Sequence, residues 1–305
     1  MKLATLRTGG DGTTAALGFG ADAFLPLPYP SVGALLADPA WRATVEAAAA
    51  AATGPAGSLA DIGTIEAGSA DFAPLVPEAG KVICCGLNYG DHIKEMGRDL
   101  PEYPTLFAKH ADTLTGAGDT IEVRGSGKVD WEAELAVVVG SPLFRADEDQ
   151  ARKAIAGYTV SNDLSMRDWQ NRTLQWFQGK AFDATTPVGP VLVTAEDVSG
   201  DFEVRGYVNG DLVQSGNTET LVYGPARLLS YISQFTMLRP GDLVLTGTPG
   251  GVGMGMTPPR FLQDGDVLTT EITGIGRLEN TIRISTSDDA AALRAVVAAT
   301  TTTKE

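Results

Sequence analysis

With 305 residues and a formal charge of −15, the chain is long enough for about two domains and a large core, and too acidic to neutralise a phosphate backbone or an anionic membrane surface. No apolar run approaches the roughly 20 residues of a membrane span, and Met1 to Gly10 lacks the apolar core of a signal peptide, so the expectation is a cytoplasmic protein with neither nucleic acid nor membrane as partner. Only two histidines exist, His92 and His110, which excludes a multi-histidine zinc site and leaves any metal to carboxylates, favouring Mg²⁺, Mn²⁺ or Ca²⁺.

Taken in chain order, Lys2 to Leu6, Ala15 to Phe19 and Ala23 to Leu27 are short strands separated by Gly-rich turns, forming a small opening sheet. Ser31 reads as the N-cap of a short helix reaching Leu36, and an Ala-rich helix runs from Pro39 to Ala52. Gly54 to Gly80 is rich in Gly, Ala, Ser and Pro, reads as loops with one short strand, and holds the predicted domain boundary. Lys81 to Gly86 is a strand that carries both cysteines, Cys84 and Cys85, as core thiols. Beyond it, His92 and Glu95 are three apart, a spacing that on one helical turn brings an imidazole and a carboxylate together as a general base and its orienting acid. The plain alternative is a surface His–Glu pair. Pro104 to Lys109 is extended, and Lys109 alone is uninformative.

The stretch Val129-Asp130-Trp131-Glu132-Ala133-Glu134-Leu135-Ala136-Val137-Val138-Val139-Gly140 is the centre of the chain. Its apolar second half reads as a strand covered on both faces. Glu132 and Glu134, two apart, point to the same side. Such a pair is tolerated when a cation sits between the carboxylates, when one is protonated, or when both reach water at the strand end. A helix follows around Asp147 to Ala156, and then a strand from Gly157 to Asp163, whose terminal carboxylate could complete a metal triad. Asp163 to Gln170 reads as a turn of helix bearing Ser165, Arg167 and Gln170. In Trp176 to Asp183, Lys180 is a lone lysine among aromatic residues, expected to lose its charge, to pair with an acid, or to snorkel to the surface.

The C-terminal third is rich in sheet. Phe202 to Val208, the Asn209-Gly210 turn and Asp211 to Gln214 form a hairpin. A helix spans Pro225 to Phe235, and strands are expected at Val191 to Val193, Leu243 to Leu245, Asp266 to Ile272 and Thr281 to Ile284. Thr246 to Gly253 looks like a binding loop that works through its backbone, with no P-loop or dinucleotide signature. Ser287 to Glu305 reads as an Ala-rich helix with a frayed tail.

Gly86-Leu87-Asn88-Tyr89 with His92 and Glu95, Phe107 with Lys109, Glu132 with Glu134, Asn162-Asp163 with Arg167-Asp168 and Gln170, Gly179-Lys180 with Phe182-Asp183, Pro240-Gly241-Asp242 and Thr246-Gly247-Thr248-Pro249 follow one another in an order that resembles the fumarylacetoacetate hydrolase family over about residues 75 to 285. The resemblance implies an α+β fold: a small N-terminal α/β domain over 1–75, a mostly β catalytic domain with mixed sheets in a rolled sandwich over 76–286, and a C-terminal helix and tail over 287–305. It implies that Glu132, Glu134 and Asp163 bind Mg²⁺ or Mn²⁺, with Ca²⁺ as a substitute in a crystal. Lys180 would assist the substrate or its enolate, while His92 and Glu95 would form a base dyad on a lid. Arg167, Gln170, Thr248 and Tyr89 would be substrate contacts, and the protein would be a homodimer. Ile93, where the family often has a small residue, and His110 to Thr113 depart from the pattern, and both bear on lid and substrate preference. The favoured expectation is hydrolysis of a carbon–carbon bond in an acylpyruvate such as fumarylpyruvate, releasing pyruvate. The alternatives are oxaloacetate decarboxylation, a hydroxymuconate-type isomerase or decarboxylase, and, from another class, a non-catalytic binding protein with a structural cation.

Overall fold

The computed structural model describes residues 1–10, 12–20, 23–53, 63–90, 93 and 99–285. His92, Glu95 and the expected helix over 287–305 lie outside the described residues. Among them, one sheet of eleven strands dominates, in the order Ile65–Glu66, Ala23–Pro26, Gly12–Phe19, Lys2–Thr8, Thr186–Thr194, Ile155–Asn162, Ala133–Val139, Leu243–Leu245, Val82–Gly86 and Thr105–Lys109, with Leu114–Thr115 paired to Thr186–Thr194 off this path. After Thr105–Lys109 the chain makes one turn at Ala111–Thr113 and rejoins the sheet beside Thr186 and Pro187. The sheet therefore rolls round on itself. A second sheet of five strands, from Asp211–Asn217 through Glu203–Val208, Val267–Ile272 and Gly276–Ser285 to Ile121–Arg124, packs against it. This is the mostly β, mixed-sheet α+β architecture that the sequence implied.

Every residue of Ala133–Val139 is buried, which is why its apolar half carries no polar alternation. Ala136 and Val138 pack with Leu3, Leu36 and Val82, whereas Val137 and Val139 pack with Leu229 and Ile232 of the helix Pro225–Ser233. Lys2 and Leu3 pair with Val193 and Leu192, so the opening strands join this sheet, and the helices Val32–Ala37 and Trp41–Thr53 contribute to the same core cluster as Val82 and Leu243. Leu3 to Leu6 are buried, so this strand needs cover on both faces and a neighbour on each edge. Ser31 caps its helix by accepting a hydrogen bond from Ala34 N at 3.0 Å.

Three local expectations are corrected. The expected helix over Asp147 to Ala156 is shorter, Glu148–Ala154, opened by an Asp147–Gln150 capping box. Ile155 already pairs with Val139, so the sheet claims the last turn. The strand expected only at Val191 to Val193 runs from Thr186 to Thr194, because Pro190 falls where the register between Tyr158 and Val160 shifts and no ladder donor is needed. The helical turn expected from Asp163 is confined to Arg167–Gln170, since Ser165 and Met166 pair with Asp130 and Val129.

Candidate active site

Antiparallel pairing assembles the acids. Ala133 lies opposite Asn162, so the start of one buried strand meets the end of the next. Asp163 N donates to Glu132 O at 2.9 Å, and Glu132 N donates to Asn162 Oδ1 at 2.9 Å. Oxygens of Glu132, Glu134 and Asp163 consequently lie within 4.8 Å of one another. Lys180, at the end of the short helix Phe177–Lys180, donates to Glu132 Oε2 at 2.7 Å and Asp163 Oδ2 at 2.8 Å. Lys109 reaches across the roll to Asp163 Oδ1 at 2.6 Å.

These charges share a site almost closed to water, so their proton affinities move apart. Burial disfavours the charge on Lys180, but Asp163 and Glu132 outweigh it and hold the ammonium above the ordinary lysine range. Burial likewise opposes the charges on Asp163 and Glu132; Lys109 with Lys180, and Lys180 with Arg167, reverse this and hold both carboxyls below their usual range. Glu134 goes the other way. Burial, then Asp163 and Glu132, push its carboxyl well above the carboxylate range, with one hydrogen bond from Gly247 N at 2.7 Å in its favour. Three converging carboxylates suit a hard divalent cation such as Mg²⁺ or Mn²⁺. Glu132, Glu134 and Asp163 are the residues that would hold it.

The loop Thr246 to Gly253 does work through its backbone, as expected, but toward the protein's own acids. Gly247 has φ +98°, and a Cβ there would come within 2.8 Å of Cys85 O, so only glycine brings this N–H to Glu134. Further along, Gly253 N and Met254 N donate to the fully buried Asp130, which also accepts from Trp131 N and from Arg167 Nε, all at 2.7–2.9 Å. Arg167 Nη1 donates to Gln170 Oε1 at 2.8 Å. Arg167 Nη2 lies 2.7 Å from Glu132 Oε1, close enough to attract it, yet is buried without an aligned hydrogen bond.

A cleft of about 120 Å³ opens over this cluster, bringing together Glu132, Glu134, Arg167, Gln170, Lys180 and Thr248. Thr248 is also a structural latch, donating to Ala133 O and accepting from Gln214 Nε2. Tyr89 is not brought to the cleft: it is buried beside Gly216 and Pro249 and lines a separate groove with Ser215 and Glu219. Cys84 and Cys85 are free and buried, as expected; burial pushes Cys84 well up and Cys85 to about 12, which disfavours the thiolate in both. Sequence reading gave no role to Phe107 and Lys109, which it quoted only as part of the family pattern, nor to Asp130 or to Trp176, which lines the cleft with Phe107. For Asp130 a signal was present, since Asp130, Glu132 and Glu134 repeat with period two.

Residues 81–283 match the fumarylacetoacetate (FAA) hydrolase C-terminal family. The chain belongs to the fumarylacetoacetate hydrolase family. Members of this family include enzymes of several reaction types. The chain is 44% identical over 217 residues to oxaloacetate tautomerase fahd2, mitochondrial, of Xenopus laevis, covering 69% of this chain and 67% of that one. Among solved structures, the fumarylacetoacetate hydrolase of psychrophilic Exiguobacterium antarcticum is 30% identical with a TM-score of 0.79, over 93% of this chain and 100% of that one. Maleylpyruvate hydrolase from Sphingobium sp. SYK-6, in complex with manganese(II) and pyruvate, is 25% identical with a TM-score of 0.75 over the same shares.

Proposed function

We propose that this family member is a divalent-cation-dependent enzyme that works through the enolate of a small 2-oxo acid, interconverting the keto and enol forms of an oxaloacetate-type diacid. The observation that carries this reading is the convergence of Glu132, Glu134 and Asp163 within 4.8 Å, with Lys180 paired to Glu132 and Asp163 and Arg167 beside Glu132. When bound between Glu132, Glu134 and Asp163, a divalent cation supplies Lewis-acid stabilisation of negative charge growing on the 2-oxo oxygen. Asp163 and Glu132 favour the ammonium form of Lys180, which suits it to stabilising negative charge on that oxygen. Arg167 is oriented by Asp130 and Gln170, and its guanidinium, beside Glu132 at the edge of the cleft, is the group that would meet a substrate carboxylate. His92, with Glu95 three residues on in the sequence, is the sequence's candidate for moving the proton at C3.

A relative at 44% identity that bears the name oxaloacetate tautomerase supports the diacid. Hydrolysis of an acylpyruvate is the second reading, favoured by the apolar side of the cleft, where Phe107 and Trp176 could receive an acyl chain. It needs an added step, attack of water on the distal carbonyl, with His92 as its base. Two assays separate them. Loss of the ultraviolet absorbance of enol-oxaloacetate and release of pyruvate from fumarylpyruvate and acetylpyruvate are followed with chelator-stripped protein, then with Mg²⁺ or Mn²⁺. Accelerated enol loss is expected with metal; pyruvate release from the acylpyruvates without it would replace tautomerisation by hydrolysis.

A further inference from the structure

The cleft has two unlike sides, and the second has no role in handling a diacid. Beside the charged cluster, Phe107, Trp176 and Leu87 also line the cleft. Phe107 and Trp176 meet edge to face, with centroids 5.6 Å apart at 74°. The indole is seated on Gly86, where an added Cβ would come within 2.4 Å of Trp176 Cζ3, so the bare Cα of the strand end is what admits the ring. Leu87 holds a left-handed backbone at φ +55° beside it. The Phe107 ring centroid is only 5.2 Å from Lys180 Nζ, so the apolar wall begins where the charged pole ends. A substituent one or two bonds from the 2-oxo carbon would lie against these rings.

We infer that the cleft also takes 2-oxo acids whose distal group is an aryl ring, and catalyses keto–enol tautomerisation of arylpyruvates. The inference rests on the enolate chemistry proposed above. A distal carboxylate against this wall would lose water without gaining a partner, and in a diacid it turns instead to Arg167. An aryl group packs on the two rings, edge or offset, as aromatic pairs prefer. The step is an isomerisation: the enol O–H breaks, its electron pair forms the C2=O bond, and the C2=C3 π pair takes a proton at C3, so no co-reactant is consumed.

The test uses phenylpyruvate enol and enol-oxaloacetate with Mn²⁺ and the full chain. Initial rates over a range of substrate concentration are compared for wild type, Trp176→Ala and Gly86→Ala, the second of which displaces the indole without removing it. Wild type should accelerate loss of both enols, and both variants should raise KM for phenylpyruvate by ~10-fold or more, with a smaller change for oxaloacetate. Turnover of oxaloacetate with phenylpyruvate inert overturns this inference alone. If neither enol is turned over, the enolate reading itself falls. Equal losses on both substrates in both variants would make the indole a structural prop and overturn the aryl site.

Discussion

Lys180 keeps its ammonium in full burial because two carboxylates face it, and this decides its chemical part. Lys180→Ala is expected to lower kcat by ~10²-fold or more, the scale of losing one oxyanion donor, with steady-state rates at saturating substrate as the measurement; unchanged kcat would remove Lys180 from the mechanism. Asp130 touches no candidate ligand position but gathers Arg167 and the backbone of Gly253 and Met254. Removing a partner of a buried pair strands the other charge, so Asp130→Ala should destabilise by ~3–5 kcal/mol, read from urea unfolding at fixed metal concentration. A cost within error would show that Arg167 finds another partner. At this scale the acids were legible, since period-two spacing and a strand end identify them. Lys109 was not: it sits far along a separate strand, and only the roll of the sheet brings it to Asp163.

Among the elements, the strand Lys2–Thr8 is tied down by charge as well as by pairing. Arg7 donates to Asp71 and to Asp119, each at 2.7 Å, and Asp119 Oδ2 also accepts from Thr115 Oγ1 and Gly116 N. Partial burial pushes the Asp119 carboxyl up, but Arg7, Thr115 and Gly116 outweigh it and leave the net value lowered. A depressed folded value stabilises above the unfolded value of about 3.9, and that contribution is lost as pH falls through the lower folded value. Chemical melts of wild type and Asp119→Asn should therefore differ near neutrality and converge in acid. A constant gap across pH would rule out the charge as the cause. Element boundaries were legible where turn chemistry is local, as in the hairpin around Asn209 and Gly210. They were not where tertiary pairing overrides a local signal, as at Pro190 and Ile155.

For the whole molecule, the cation is expected to join catalysis to stability. Exhaustive chelation and dialysis should abolish enol turnover, and Mg²⁺ or Mn²⁺ should restore it. A ligand at 100 times its Kd that binds only the folded state adds ~2.7 kcal/mol, so Tm should rise on metal addition. Full activity after chelation would exclude the carboxylate site from the reaction. The overall architecture was legible because the order of short motifs points to one family. The junction of the first strands with the catalytic sheet was not, since no pattern within Lys2 to Leu6 names its partner at Leu192 and Val193.

That junction also sets a schedule for the chain during synthesis. Lys2–Thr8 finds one edge partner at once in Gly12–Phe19, but the other, Thr186–Thr194, lies almost two hundred residues downstream. At roughly 5–20 residues per second, the opening hairpin waits about 10–40 s on the ribosome with one edge unpaired, an interval in which it can pair with a neighbouring nascent chain. Ribosome-stalled chains ending before Thr186 should be cut by protease near the N-terminus, and chains that have released Thr194 from the tunnel should be protected there.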